Sequence, residues 1–254
     1  MNKLEINHLT KSFGDHLVIK DLSFSIADGE FVSILGPSGS GKSTLFHLIG
    51  GISHPDSGDI YVDGEKVNGK RGSISYTPQS PSLLPWRTIL NNVLLGQEIV
   101  GKGKVDKKKA LRMIERAGLK GYENKYPHEL SGGMKQRVSF IRSLLSPQSI
   151  ICLDEPFSAL DEFTRLEMQK WLLSVWSEYK RSILFVTHSI EEAIFLSDRI
   201  IVLSTKPATV KKEFTIPFGR PRNEDILLTE EFLQWKKSIY YELAGQRDRS
   251  LVPK

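Results

Sequence analysis

Apolar and polar positions alternate at Leu4 and Ile6 and again at Leu22, Phe24 and Ile26, so the start of the chain reads as short strands. The apolar run 31–35 predicts another strand, and it ends in a glycine-rich turn. From there helix follows strand. Residues 42–49 are helical in pattern, 58–62 predict a strand leading to a turn at Asp63-Gly64, and 73–76 a further short strand. Between 87 and 145 the periodicity becomes helical, with Ala110, Ile114 and Ala117 spaced for one face and Gly118, Gly121 and Pro127 as breaks. Alternation then resumes: strand 150–153, helix 161–179, strand 183–186, short helix 190–196 and strand 200–203. Such alternation predicts a parallel sheet covered by helices. A strand over 210–216, a proline-punctuated linker over 217–222 and an amphipathic helix over 229–243 close the chain.

With 254 residues, 39% of them hydrophobic and 26% charged, the chain is long enough for one large core and ordinary enough in composition to fold around it. The net charge of +5 is a mild excess. Basic residues gather over 102–109 and at Lys206, Lys211 and Lys212, but short charge runs read as solvated faces, and no nucleic-acid partner is expected. The single cysteine, Cys152, lies in an apolar strand, which excludes an intrachain disulfide and fits a reducing cytoplasm. The opening residues lack the apolar stretch of a signal peptide, and no run approaches the ~20 apolar residues of a spanning helix. Membrane association is therefore expected through a partner.

The glycine-rich turn carries the first chemistry. Gly36, Pro37, Ser38, Gly39, Ser40, Gly41, Lys42, Ser43 and Thr44 satisfy the phosphate-loop pattern between a strand and a helix. Small residues let backbone N–H groups close around phosphate oxygens, and the helix N-terminus adds partial positive charge. Lys42 reaches the β and γ phosphates of a bound nucleotide, Ser43 offers its hydroxyl to Mg²⁺, and Thr44 bonds the α-phosphate side. Mg²⁺ in such a site takes oxygen ligands and keeps several waters. Strand 150–153 runs straight into Asp154 and Glu155, at the end where a parallel sheet places its ligand crevice. Asp154 is the candidate metal-side residue. Glu155 is the candidate general base for attack of water on the γ-phosphate.

Kinases and GTPases share that much. The separating feature is LSGGMKQR over 130–137, where Ser131 can cap a helix and Gly132 and Gly133 permit close backbone approach, a second anion site in one chain. This stretch resembles the signature motif of the ABC ATPase family, and further landmarks follow in family order along nearly the whole chain. The resemblance implies that the signature turn grips the γ-phosphate of ATP held by another protomer. It implies that Gln79 touches the metal and the attacking water, that loop 158–161 with Asp161 crosses the dimer interface, and that His188 contacts the γ-phosphate. Phe13 matches the aromatic on which adenine stacks. The implied fold is α/β: a P-loop NTPase core with a mostly parallel sheet flanked by helices, an N-terminal antiparallel β subdomain and an inserted helical signature subdomain. The divisions expected are 1–86 with 149–216 for the core, 87–148 for the helical part and 217–254 for the tail. Departures are small: Lys135 stands where arginine is frequent, and Phe140-Ile141 are bulkier than the usual alanine-rich continuation, so that helix should pack differently.

The phrases LLPWRTILNNV, DEFTRLEMQKWLLSVW and PFGRPRNEDI resemble importer subunits for nitrate, sulfonate, taurine and pyrimidine thiamine precursors. ATP and Mg²⁺ are then the cofactors. The partners implied are a second copy of the chain, two integral membrane permease subunits that dock near Leu83, Leu84 and Trp86, and an extracellular solute-binding protein; the location is the cytoplasmic face of the membrane. A soluble ABC ATPase acting on DNA or ribosomes is the alternative. One set of motifs from Phe13 to His188 with no long insertion speaks against it. A small-kinase phosphotransferase would have no use for LSGGMKQR.

Overall fold

The structure, a computed structural model, describes residues 2–100 and 105–245. Alternation at the start produces two long antiparallel strands, β1 (Asn2–Phe13) and β2 (His16–Ala27), with Leu4 opposite Ile26 and Ile6 opposite Phe24. The strands β4 (Ser57–Val62) and β5 (Glu65–Lys66) extend them into a four-stranded sheet of order β2-β1-β4-β5. Its apolar face, with Leu4, Ile6, Leu9 and Ile60, packs on helix α1 (Lys42–Ile49) and on one side of a second sheet.

That second sheet has the order β10-β9-β3-β8-β7-β6. Strands β3 (Phe31–Leu35), β6 (Ser75–Thr77), β7 (Ile150–Asp154), β8 (Ser182–Val186) and β9 (Arg199–Leu203) run parallel, and β10 (Val210–Thr215) pairs antiparallel to β9. Every residue of β3, β7 and β8 is buried, as expected for parallel strands covered on both faces. The strand expected over 73–76 begins only at Ser75, because pairing with β7 starts there, opposite Ile151. Ile74 is buried without being in the strand.

On the other face, helices α2 (Ile89–Val100), α3 (Lys107–Arg116), α4 (Gly132–Leu145) and α5 (Glu162–Tyr179) contribute to one apolar cluster that continues to Phe31, Ile151 and Phe185 of the sheet. Ala110, Ile114 and Ala117 are buried there, on the face their spacing predicts. The bulky Phe140 and Ile141 are buried too. Phe140 packs against Phe157 at 5.5 Å and Trp171 at 6.2 Å between ring centroids, so aromatic partners take up the added volume. Lys102 and Lys104 of the first basic run lie outside the described residues.

The linker expected over 217–222 has no helix or strand, but it is fastened to the core: Arg222 is buried, and Arg220 and Arg222 are hydrogen-bonded to the segment 194–198, at the end of helix α6 (Ile190–Leu196). A short 3-10 turn, Glu224–Leu228, follows, and then α7 (Glu230–Ala244). Trp235 of α7 meets Phe214 edge-on at 6.3 Å, whereas Tyr240 is largely exposed. The end of the expected tail, beyond residue 245, lies outside the described residues.

Topology places the chemistry. The neighbours β3, β8, β7 and β6 all point the same way, so their C-terminal ends line up at spacings of about 5 Å. In that order the ends lead into Gly36, into Thr187 and His188, into Glu155, and into Pro78 and Gln79.

Candidate nucleotide site

The loop after β3 turns sharply into α1. Gly39 and Gly41 have φ of +75° and +99°, where a side chain would be strained, and a Cβ on Gly36 would come within 2.9 Å of the Ser40 hydroxyl. Gly41 is the N-cap of α1 and offers no side-chain cap, so the first N–H groups of the helix are left for another acceptor. The buried Ser40 Oγ has no hydrogen-bond partner among the described residues. Lys42 is buried, and its Nζ donates to the Gly36 and Pro37 carbonyls at 2.8 and 3.0 Å, so the ammonium is folded over the loop. Burial lowers its pKa, opposed by the charges of Glu155 and Asp154. Unfilled donors, a cation and a glycine cradle together suit a polyphosphate.

An open pocket of about 380 Å³ lies at this loop. It is lined by Ser38, Gly39, Lys42, Ser43 and Thr44, and also by Phe13, whose ring is half-exposed at the end of β1. Lys11 Nζ sits 5.3 Å from the Phe13 ring centroid. A planar base can lie on that ring while its phosphates reach the loop.

Lys206 also lines the pocket. The sequence offered it only as part of a basic cluster. Its neighbour Ala208 is tied to β2, with Ala208 N donating to Val18 O at 2.8 Å and Lys20 N to Ala208 O at 3.0 Å, and this carries Lys206 to the Phe13 side. The other two lysines of that cluster behave as surface residues: both Lys211 and Lys212 face Glu242.

The acidic end of the pocket is made by β7. Asp154 is nearly buried, and Tyr76 donates its hydroxyl to Asp154 Oδ2 at 3.1 Å. Desolvation raises the Asp154 pKa, partly offset by the Tyr76 hydrogen bond. Glu155 adopts φ of +43°, a conformation uncommon for a residue with a side chain. It is held there by its N–H to Val186 O at 2.9 Å and by its carbonyl, which accepts from Ser158 Oγ at 2.9 Å. The turn brings the Glu155 carboxylate into the pocket, with Oε2 3.1 Å from His188 Nδ1. Gln79 Nε2 donates to Ser158 Oγ at 3.0 Å. Gln79, Ser158, Glu155 and His188 thus form one connected chain of polar contacts.

Ser43 and Asp154 supply hard oxygen donors of the kind Mg²⁺ takes. Among the described residues no cluster of three or more His, Cys, Asp or Glu side chains gathers to hold a metal.

The signature turn does not line this pocket. Ser131 caps α4, its hydroxyl accepting from Met134 N at 3.4 Å, and Ser131 and Gly132 are exposed. A Cβ on Gly133 would come within 3.2 Å of Thr164, so α4 packs closely on the first turn of α5, which Asp161 caps by accepting from Thr164 N at 3.1 Å.

A second surface lies beside Gln79. Asn92, fully buried, accepts from Leu84 N and donates to the carbonyls of Leu84, Arg87 and Thr88. Arg142 donates to the carbonyls of Pro81 and Ser82. Loop 80–88 is thereby pinned with Trp86 72% exposed, and Arg142, which holds the loop, also lines a groove of about 200 Å³ with Leu95 and Ile99. Leu83 and Leu84 are partly buried. No helix among the described residues is long and apolar enough to cross a membrane.

Residues 19–158 match the family described as ABC transporter. The aliphatic sulfonates import ATP-binding protein of Bacillus cereus is 38% identical, covering 98% of this chain and 99% of its own. The formylaminopyrimidine import ATP-binding protein of Halalkalibacterium halodurans is 44% identical over 87% of this chain and 86% of its own. Among solved structures, a dimeric bacterial ABC transporter cassette superposes with a TM-score of 0.73 at 32% identity, covering 85% of this chain and all of that one. The same cassette in a post-hydrolysis state, bound to ADP and Pi, gives a TM-score of 0.72.

Proposed function

This chain belongs to the ABC transporter family, and we propose on that premise that it is the ATP-hydrolysing subunit of a solute importer, working as a pair of copies beneath two subunits of a separate permease. The observation that carries the reading is the alignment of four parallel strand ends, which brings the phosphate loop, His188, Glu155 and Gln79 to one edge of the sheet.

Phe13 takes the adenine face, and the phosphates lie along Gly36–Thr44. Lys42 then exchanges its loop carbonyls for phosphate oxygens. Ser43 and Asp154, with Gln79 beside them, would hold Mg²⁺ brought in with the nucleotide, and the ion would supply charge neutralisation for the leaving diphosphate. Glu155 takes a proton from water as the water oxygen bonds to the γ-phosphorus and the bond to ADP breaks, and His188 holds the carboxylate in place. Ser131, Gly132 and Gly133 of the second copy close over the γ-phosphate, with Asp161 at the seam. The dimeric cassette of similar fold supports that pairing.

The core over 1–86 and 149–216 carries the nucleotide, the helical part over 87–148 carries the signature, and 217–254 forms the tail. Leu83, Leu84 and Trp86 offer the permease an apolar seat at the cytoplasmic face. The solutes fall in the nitrate, sulfonate, taurine and pyrimidine-precursor group, delivered by an extracellular binding protein; relatives named for sulfonate and formylaminopyrimidine import support this. Reconstitution with its permease in liposomes tests it: ATP-driven uptake of one of these solutes is expected, lost in Trp86→Glu while the isolated subunit keeps its ATPase. An ATPase indifferent to any permease overturns the importer reading.

A further inference from the structure

The stretch 217–222, which resembles the importers yet does not line the nucleotide pocket, is built into the molecule. Arg222 is only 8% exposed. Its Nη1 donates to three carbonyls at the end of α6: Ile194 O at 2.8 Å, Phe195 O at 3.1 Å and Ser197 O at 2.8 Å. Its Nε and Nη2 both hold Phe218 O, at 3.1 and 3.0 Å. Beside it, Arg220 Nη2 reaches Leu196 O at 2.6 Å and Asp198 Oδ1 at 2.8 Å, with its guanidinium 4.4 Å from the Trp176 ring centroid. The last carbonyls of a helix lack intrahelical donors and carry partial negative charge, so two guanidinium groups here satisfy that end electrostatically and by hydrogen bonds. Burial, then repulsion from Arg220, lowers the Arg222 pKa to about 10, and the group stays cationic at neutral pH.

The other end of α6 is the hydrolytic edge. This helix has seven residues and spans about 10 Å, too short to absorb a shift at one end without passing it to the other. Ser189 caps it by accepting from Glu192 N at 3.3 Å. The buried Glu192 accepts from Thr187 Oγ1 at 2.5 Å and faces Arg165 at 3.7 Å, and Ser189 N donates to Thr187 Oγ1 at 3.0 Å. His188 lies between Thr187 and Ser189, so both of its neighbours are fastened to the first turn of α6.

We propose that Arg222, supported by Arg220, is a positioning residue for ATP hydrolysis: it locks the C-terminal end of α6 and through that helix holds His188 against Glu155, so the tail sets turnover rather than nucleotide affinity. The inference rests on the reading of Glu155 and His188 as the hydrolytic pair. A cap that only stabilised the tail would lower thermal stability and leave turnover alone.

The full chain carrying Arg222→Gln tests it by three measurements: kcat for Mg-ATP, ATP affinity in the Glu155→Gln background, and the ring 13C resonances of the six histidines. The expected result is a kcat lowered about tenfold, ATP affinity within twofold of the parent, and a His188 resonance displaced while the other five stay in place. Unchanged kcat, a loss confined to ATP affinity, or a slowed kcat with the His188 resonance unmoved overturns the proposal. Should Arg222→Gln fail to fold, Arg220→Gln, which removes the contact with Leu196 O, is measured in the same way and decides by the same criteria. Failure of the parent reading shows separately, as hydrolysis by Glu155→Gln at the wild-type rate.

Discussion

The glycine-rich loop before α1 and the turn 131–133 before α4 are chemically alike, small residues running into a helix N-terminus, but they are finished differently. The first has no side-chain cap, a buried serine hydroxyl with no partner among the described residues and a lysine folded across it. It is an incomplete structure that a phosphate completes. The second caps itself through Ser131, packs Gly133 against α5 and leaves Ser131 and Gly132 exposed, away from the nucleotide pocket. A helix whose donors await a ligand binds by itself; one already capped by its own serine adds only what a ligand delivered from outside can use. On the proposed pairing, the difference means that one copy of the chain suffices to hold ATP and two are needed to hydrolyse it.

The sharpest way to break that contrast is Ser131→Arg, which blocks the signature turn without touching the pocket. Phosphate release is expected to fall about 100-fold, the scale of losing one stabilising donor at a transition state, while ATP affinity of the single copy changes less than twofold. Equal losses in both would mean that the signature turn holds the nucleotide of its own copy. Next in size is Phe13→Ala, expected to weaken ATP binding about tenfold, from lost stacking, and to leave inorganic phosphate binding unaltered. Isothermal titration with ATP and with phosphate separates the two.

These experiments act on residues whose roles differ in how openly the sequence displays them. Helices α1 and α6 match their expected spans residue for residue, and β7 runs to Asp154, because strand and helix periodicity and the glycine and capping residues are local signals. The placement of the phosphate loop, Asp154, Glu155 and the signature turn is legible for the same reason: each is a contiguous motif at the end of a strand or the start of a helix. That of Asn92, Arg142, Lys206 and Arg222 is not. Asn92 and Arg142 hold backbone carbonyls of loop 80–88, and Arg222 those around α6, contacts that nothing in the local spacing encodes. Lys206 reaches the pocket only because Ala208 bonds to β2, nearly 190 residues earlier in the chain. The polar chain from Gln79 through Ser158 and Glu155 to His188 likewise exists only once β6, β7 and β8 are neighbours.

Lys206→Glu probes that long-range placement. A three- to fivefold loss of ATP affinity, larger at low ionic strength than at high, is expected for an exposed cation near the nucleotide. An effect independent of salt would point to a loop rearrangement instead.

The smallest expected effect is on stability. Burial raises the Asp154 pKa above the ordinary 3.8, so the folded chain binds that proton more tightly than the unfolded one. Wild-type stability is therefore lost progressively as pH rises from about 3.8 through the raised folded value. Asp154→Asn has no such proton to lose. Its Tm should exceed that of the wild type by a few degrees at pH 7 and approach it at pH 4, while its hydrolysis fails. A Tm difference that does not vary with pH would mean that the carboxylate is not desolvated in the folded state.

The contrast between the two turns is decided most directly by the mass of Glu155→Gln in solution, measured by light scattering with and without ATP. Without nucleotide the mass should be that of one chain, 28.7 kDa. With saturating Mg-ATP it should double, and adding Ser131→Arg should return it to the single value although ATP stays bound. A variant that binds ATP tightly and remains a single chain would contradict the proposal that the signature turn of one copy closes over the nucleotide of another.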